Sequence, residues 1–224
     1  MHMRKLSFRA FGILGALLLS VAMGSCLLPQ GRVSSALVYT FVPSRITVQA
    51  GETIPGTDIR YSHQGENGAH VIINGQQALK RQGDSLNWSG EPRPGVKVEL
   101  RMRVVWISDA QMELLGTTKV TVQNAQPRRA AIVTSSPMEY GGAVAYNVRQ
   151  GNTIPGTLLT YEGETEEGAR LGNVDGYPFR RAGDSILWEG MLVDDVYVRL
   201  DLRAVQYSER SLSVGGWATL WIGQ

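Results

Sequence analysis

Apolar and polar residues alternate with a period of two along most of this chain. Val96, Val98, Leu100, Met102, Val104 and Trp106 alternate with Lys97, Glu99, Arg101 and Arg103. A period of two puts one set of side chains on a buried face and the other in water, as in a half-buried β-strand. Val196, Val198, Leu200, Leu202 and Ala204 repeat the pattern one hundred residues later. Shorter strands are predicted over 36–42, 45–49, 58–62, 69–73, 85–89 and 118–122. Asn74-Gly75 between two such runs predicts a tight hairpin turn. Outside the N-terminal stretch no apolar period of 3.6 is convincing. Residues 109–116 (DAQMELLG) allow at most one or two helical turns.

The alternation is doubled because the chain is duplicated. Comparing residue n with n+100 over 46–122 gives 24 identities in 77 positions. GETIPGT (51–57) returns as GNTIPGT (151–157), and GDSLNWSG (83–90) as GDSILWEG (183–190). A twofold repeat of this length predicts two small domains, not a solenoid. The expected division is residues 1–26 signal, 27–35 tether, 36–123 first domain, 124–130 linker and 131–224 second domain. About seven short strands per copy, separated by Gly, Pro and Asn turns, suggest two tandem antiparallel β-sandwiches of immunoglobulin-like type. A small, partly open barrel is the second choice.

The first 26 residues follow other rules. Arg4, Lys5 and Arg9 precede an uncharged apolar run from Ala10, and small residues Gly24 and Ser25 precede Cys26. The stretch MGSC (23–26) resembles the lipobox of bacterial lipoprotein precursors. That resemblance covers the N-terminal segment alone and implies a lipid on Cys26, an exported body and an envelope location. The usual Leu three residues before the Cys is Met23 here. The uncharged run to Leu28 also approaches the length of an uncleaved membrane anchor, and AMG before Ser25 also fits an ordinary secretory cleavage site.

Composition narrows the function classes. Cys26 is the sole cysteine, so the body after it has no disulfide and no thiol chemistry. The body carries 19 Lys+Arg against 20 Asp+Glu, which argues against nucleic-acid binding. The copies differ: residues 37–124 hold nine basic and eight acidic residues, residues 131–224 seven and twelve.

Candidate chemistry is sparse. In TIPGT, Pro55-Gly56 suits the centre of a type II turn, so the repeated phrase reads as a turn needed twice. Asp84 and Asp184 read as turn formers, and Trp88 and Trp188 as core anchors in phase with Leu86 and Ile186. His63 and His70 have no counterpart in the second copy, so no duplicated Ser–His–Asp arrangement exists. No cofactor and no metal site are expected, and the acidic loop 162–168 reads as a solvated turn. The differences between the copies carry more: Trp217 and Trp221 stand where the first copy has Thr117 and Thr121. Their parity points both outward, about 13 Å apart, as a platform for a protein partner or a polysaccharide. The expectation is a non-catalytic envelope lipoprotein, not an enzyme. It would be held to a membrane by its N-terminus and act as a scaffold or accessory subunit docking an envelope protein. A glycan or cell-wall binding module is the alternative, and an envelope hydrolase a distant third.

Overall fold

A computed structural model describes residues 36–132 and 135–223. Cys26, the signal segment and the tether 27–35 lie outside the described residues. Among the described residues every regular element is a β-strand, and no helix is long and apolar enough to cross a membrane.

The first half holds β1 (Leu37–Gln49), β2 (Ile59–Gly65), β3 (Gly68–Ile73), β4 (Gln76–Lys80), β5 (Ser85–Arg93), β6 (Val96–Ile107) and β7 (Gln111–Val122). The second holds β8 (Arg128–Arg129), β9 (Met138–Arg149), β10 (Thr160–Thr165), β11 (Gly168–Gly172), β12 (Phe179–Arg180), β13 (Ser185–Val193), β14 (Val196–Ser208) and β15 (Ser211–Ile222). Each half folds into two antiparallel sheets. The larger has the order β1-β7-β6-β5 in the first half and β9-β15-β14-β13-β8 in the second. The smaller is β2-β3-β4 in one and β10-β11-β12 in the other. Within each sheet consecutive strands pair, β1 closes back on β7 and β9 on β15, and β8 adds to the edge of β13. The all-β expectation of two similar antiparallel halves is met, and this strand order does not confirm the immunoglobulin-like type, which pairs its first strand with the second and its second with the fifth.

Three local expectations also change. The runs 36–42 and 45–49 are one strand, β1, bent by a bulge at Val42-Pro43. Residues 111–116 are strand: Met112 and Leu114 are buried while Gln111 and Glu113 are not, so the period is two. The linker is partly structured, because Arg128–Arg129 pair with Gly190 and Met191 of β13. The Asn74-Gly75 turn forms as read, with φ of 51° and 75° joining Ile73 to Gln76.

The bulge explains a slip in the repeat. After it, Ser44 faces Gly116 as Val144 faces Gly216, an offset of 100. Before it, Leu37 faces Val122 as Met138 faces Ile222, and Tyr39 faces Val120 as Tyr140 faces Leu220, an offset of 101.

The halves do not have separate cores. Their buried residues form one continuous cluster, joined where β1 meets β9. Phe41 lies against Gly142, so that a Cβ on Gly142 would come within 2.8 Å of the Phe41 Cβ. The Tyr39 hydroxyl and the Met138 sulfur occupy the space over Gly156 and Gly56 respectively. The repeated turn therefore receives the opening strand of the other half. Within the turn, Thr57 N–H donates to the Ile54 carbonyl at 3.0 Å, and Gly56 has φ +76°, as a type II turn requires. Thr57 and Thr157 hydroxyls tie the same loop, donating to Ile54 and Ile154 and accepting from the Ile59 and Leu159 amides.

Candidate docking face

The two large sheets have similar inner faces and different outer ones. On the first, Lys97 and Glu99 of β6 and Lys119 of β7 are charged and paired, while Trp106, which alternation from Val96 places inward, is turned outward past a bulge in β6 and is 56% exposed. Glu99 sits 3.2 Å from Lys97 and 3.5 Å from Lys119. The Lys97 hydrogen bond, with both lysine charges nearby, holds the Glu99 carboxyl below its ordinary value. Asn87, Arg101 and Thr117 continue this polar surface.

On the second sheet the corresponding row crosses four strands as Leu187, Asp201, Trp217 and Ala143. Leu187 is 66% exposed and Trp217 53%. The Trp217 indole lies over Gly141, whose missing Cβ would come 3.1 Å from the ring nitrogen. Val205, 60% exposed, stands beside Gly215 on the same sheet. Asp201, between Leu187 and Trp217, has no ion pair or hydrogen-bond partner of its own side chain among the described residues. The face thus offers apolar groups around one uncompensated carboxylate.

Trp221 does not join this platform. Its parity places it on the outer face, but it is only 5% exposed. Its indole N–H donates to the Glu139 carboxylate at 3.0 Å, and the Arg199 guanidinium sits 5.5 Å from its ring centroid. Arg199 is itself anchored to Glu189 at 2.7 Å. Alternation tells which face a side chain takes; it does not tell whether long neighbours fold across it. Leu187 was missed for a related reason. It flanks the core residue Trp188, and the readable signal was its replacement of Asn87.

The remaining candidates resolve into structure. Asp84 and Asp184 accept from the Arg81 and Arg181 amides at 2.8 and 2.7 Å, closing turns. Trp188 is buried and Trp88 half-buried, each lying over the glycine two residues on. That contact accounts for the repeated Trp-x-Gly. His63 and His70 face each other across β2 and β3 with rings stacked 4.6 Å apart. His63 Nδ1 is 3.1 Å from the Ser62 hydroxyl, with no carboxylate bonded to either ring among the described residues. In the acidic loop Glu162 pairs with Arg170 at 2.8 Å. Among the described residues no three His, Cys, Asp or Glu side chains gather in a way that could hold a metal ion.

A cleft of about 240 Å³ opens between the halves, lined by Ile46, Ile54, Pro55, Met138 and Tyr140, with Arg45 at its rim. Arg45 is committed to Glu113 at 2.9 Å. By the repeat, Ile46 corresponds to Tyr146, whose bulkier side chain is half-buried with its hydroxyl enclosed. Burial pushes the Tyr146 and Tyr140 phenols up to about 12. Burial, with Tyr146 nearby, pushes Tyr39 further in the same direction.

Searches of protein families, curated proteins and solved structures found no match to this chain.

Proposed function

We propose that the chain is an exported, membrane-tethered lipoprotein that acts without catalysis, as a scaffold docking a protein partner on the outer face of its second half. The observation that carries this reading is the exposed row of Leu187 and Trp217, where the first half has Asn87 and Thr117. Contiguous exposed apolar groups on one face mark interaction surfaces. Duplication supplies a built-in comparison: the fold does not need Leu187 and Trp217, because the other copy has Asn87 and Thr117 there, whereas Val205 is matched by Val105. Asp201 in their midst selects a partner that brings an apolar contact together with a lysine or arginine.

A protein partner fits better than a glycan. A sugar-binding platform needs accessible aromatic faces, and Trp221 is covered. The acidic balance of the second half disfavours anionic polymers. Cys26 supplies the tether in this reading, through the lipobox-like MGSC.

The test is affinity capture of the membrane-extracted protein with Trp217→Ala/Leu187→Ser beside the unaltered chain. Loss of one stoichiometric protein supports the reading. Recovery of that protein in equal amount from the double variant overturns it, and retention on purified cell-wall polysaccharide with the same sensitivity replaces it with the glycan alternative. Labelling with radioactive palmitate, lost in Cys26→Ser, tests the tether separately.

A further inference from the structure

The repeat inverts charge at two places on the outer faces of its long strands, Glu99 against Arg199 and Arg101 against Asp201. The first inversion is balanced within each face. Glu99 is held by Lys97 and Lys119, and Arg199 by Glu189. The second is not. Arg101 and Asp201 are both exposed, and neither side chain has an ion pair or hydrogen bond among the described residues. Two residues on, Arg103 and Arg203 donate alike to the carbonyls of Gly83 and Gly183. Each outer face therefore holds an unanswered charge in the middle of the same row, and the two charges have opposite sign.

Shape follows the charge. Two shallow hollows flank Arg101 on the first sheet. One, of about 270 Å³, is lined by Thr40, Glu99, Arg101, Thr117 and Lys119. The other, of about 290 Å³, lies towards β5 among Asn87, Ser89, Glu99 and Arg101. Each exceeds the roughly 150 Å³ that admits a benzene ring. On the second sheet the exposed Leu187 and Trp217 stand to either side of Asp201. A cation between two hollows thus matches an anion between two projections. Turning one sheet end for end exchanges the places of Leu187 and Trp217 but leaves Asp201 over Arg101. The apolar stems of Arg101 and Lys119 give an indole surface to cover. A guanidinium fork also takes a carboxylate through two parallel hydrogen bonds.

We infer that the partner docked on the second half is a second copy of this chain, presenting the outer face of its first half. This rests on the docking face proposed above and names its occupant. Like faces are poor partners for each other. Two second halves centred on this row set Asp201 against Asp201, and two first halves set Arg101 against Arg101. Because the two surfaces differ, the contact is heterologous. It either closes as a dimer with two such contacts or runs on from copy to copy.

Sedimentation velocity on the membrane-extracted protein in detergent tests it. The unaltered chain should associate reversibly. Arg101→Asp and Asp201→Arg should each weaken that association about tenfold or more, because each sets like charges face to face. Mixed in equal amounts, the two variants should associate again, since one then carries acid at both centres and the other base at both. Both positions are exposed, so the fold should be kept, which circular dichroism checks. An unaltered chain that stays monomeric to about 0.1 mM overturns the inference. So does association that survives Arg101→Asp, which would set second half on second half, and so does a mixture that stays apart. If the unaltered chain is monomeric and Trp217→Ala/Leu187→Ser still loses a different stoichiometric protein, the docking face stands and this occupant falls. If that double variant keeps every bound protein, the second copy included, the docking face falls as well.

Discussion

At the scale of single residues, the contact of Phe41 with Gly142 concentrates the energetics of the join. Adding one methyl in Gly142→Ala forces Phe41 to shift and should cost about 1–3 kcal/mol. Phe41→Ala, which empties a fully buried site, should cost about 3–5 kcal/mol. Because the two touch, the double variant should lose less than the sum, by urea titration; strict additivity would mean that they are not coupled. The phenols beside this contact make a pH prediction. Tyr146 and Tyr39 are held protonated in the folded protein, whereas the unfolded chain releases phenol protons near 10. Their contribution is present in full below pH 10 and is lost as pH rises from 10 towards 12. The Tyr146 hydroxyl also has no hydrogen-bond partner among the described residues. Tyr146→Phe should therefore leave stability at pH 8 unchanged or higher and flatten the loss between pH 10 and 12. An unchanged alkaline profile would contradict this assignment.

At the scale of elements, the repeat serves as an internal control. Trp188, sealed by β8, should lose about 3–5 kcal/mol on truncation to Ala. Trp88 is half-buried in the structure and should lose clearly less by denaturant titration. Equal losses would show that β5 is covered as fully as β13. This is also the scale at which sequence reading succeeded best and failed most informatively. Alternation located nearly every strand, because one face is dry and the other wet. Asn74-Gly75 and the Pro-Gly of TIPGT announced their turns through the backbone angles they permit. Gln111 to Gly116 was misjudged because its leucines and methionine sit close enough to mimic a helical turn, and tertiary pairing with β1 and β6 decided the matter. Strand order is set by which strand closes on which, and no local pattern encodes that. The outer face was half legible: Trp217 stood out against Thr117, while coverage of Trp221 depends on Glu139, eighty-two residues away in the chain.

At the scale of the whole molecule, the continuous core means that the two copies should not melt separately. Calorimetry of the full chain should show one cooperative transition coincident by fluorescence and circular dichroism. Two resolved transitions would mean that the β1–β9 contact contributes little. The Arg93–Asp195 ion pair, at 2.8 Å, also bridges the halves. Asp195 is half-exposed, so Arg93→Ala should cost no more than about 1 kcal/mol and leave the transition single.

Phe41 and Gly142 occupy the same place in their respective copies, and each touches the other. In a symmetric dimer of identical subunits, a residue on the axis meets its own copy. Such an assembly would have to choose between two crowded phenylalanines and two glycines facing a void. Joining the copies in one polypeptide removes that constraint, because each can then be altered alone. Either half made alone and paired with a second copy of itself through this contact would therefore need a residue of intermediate size at this position.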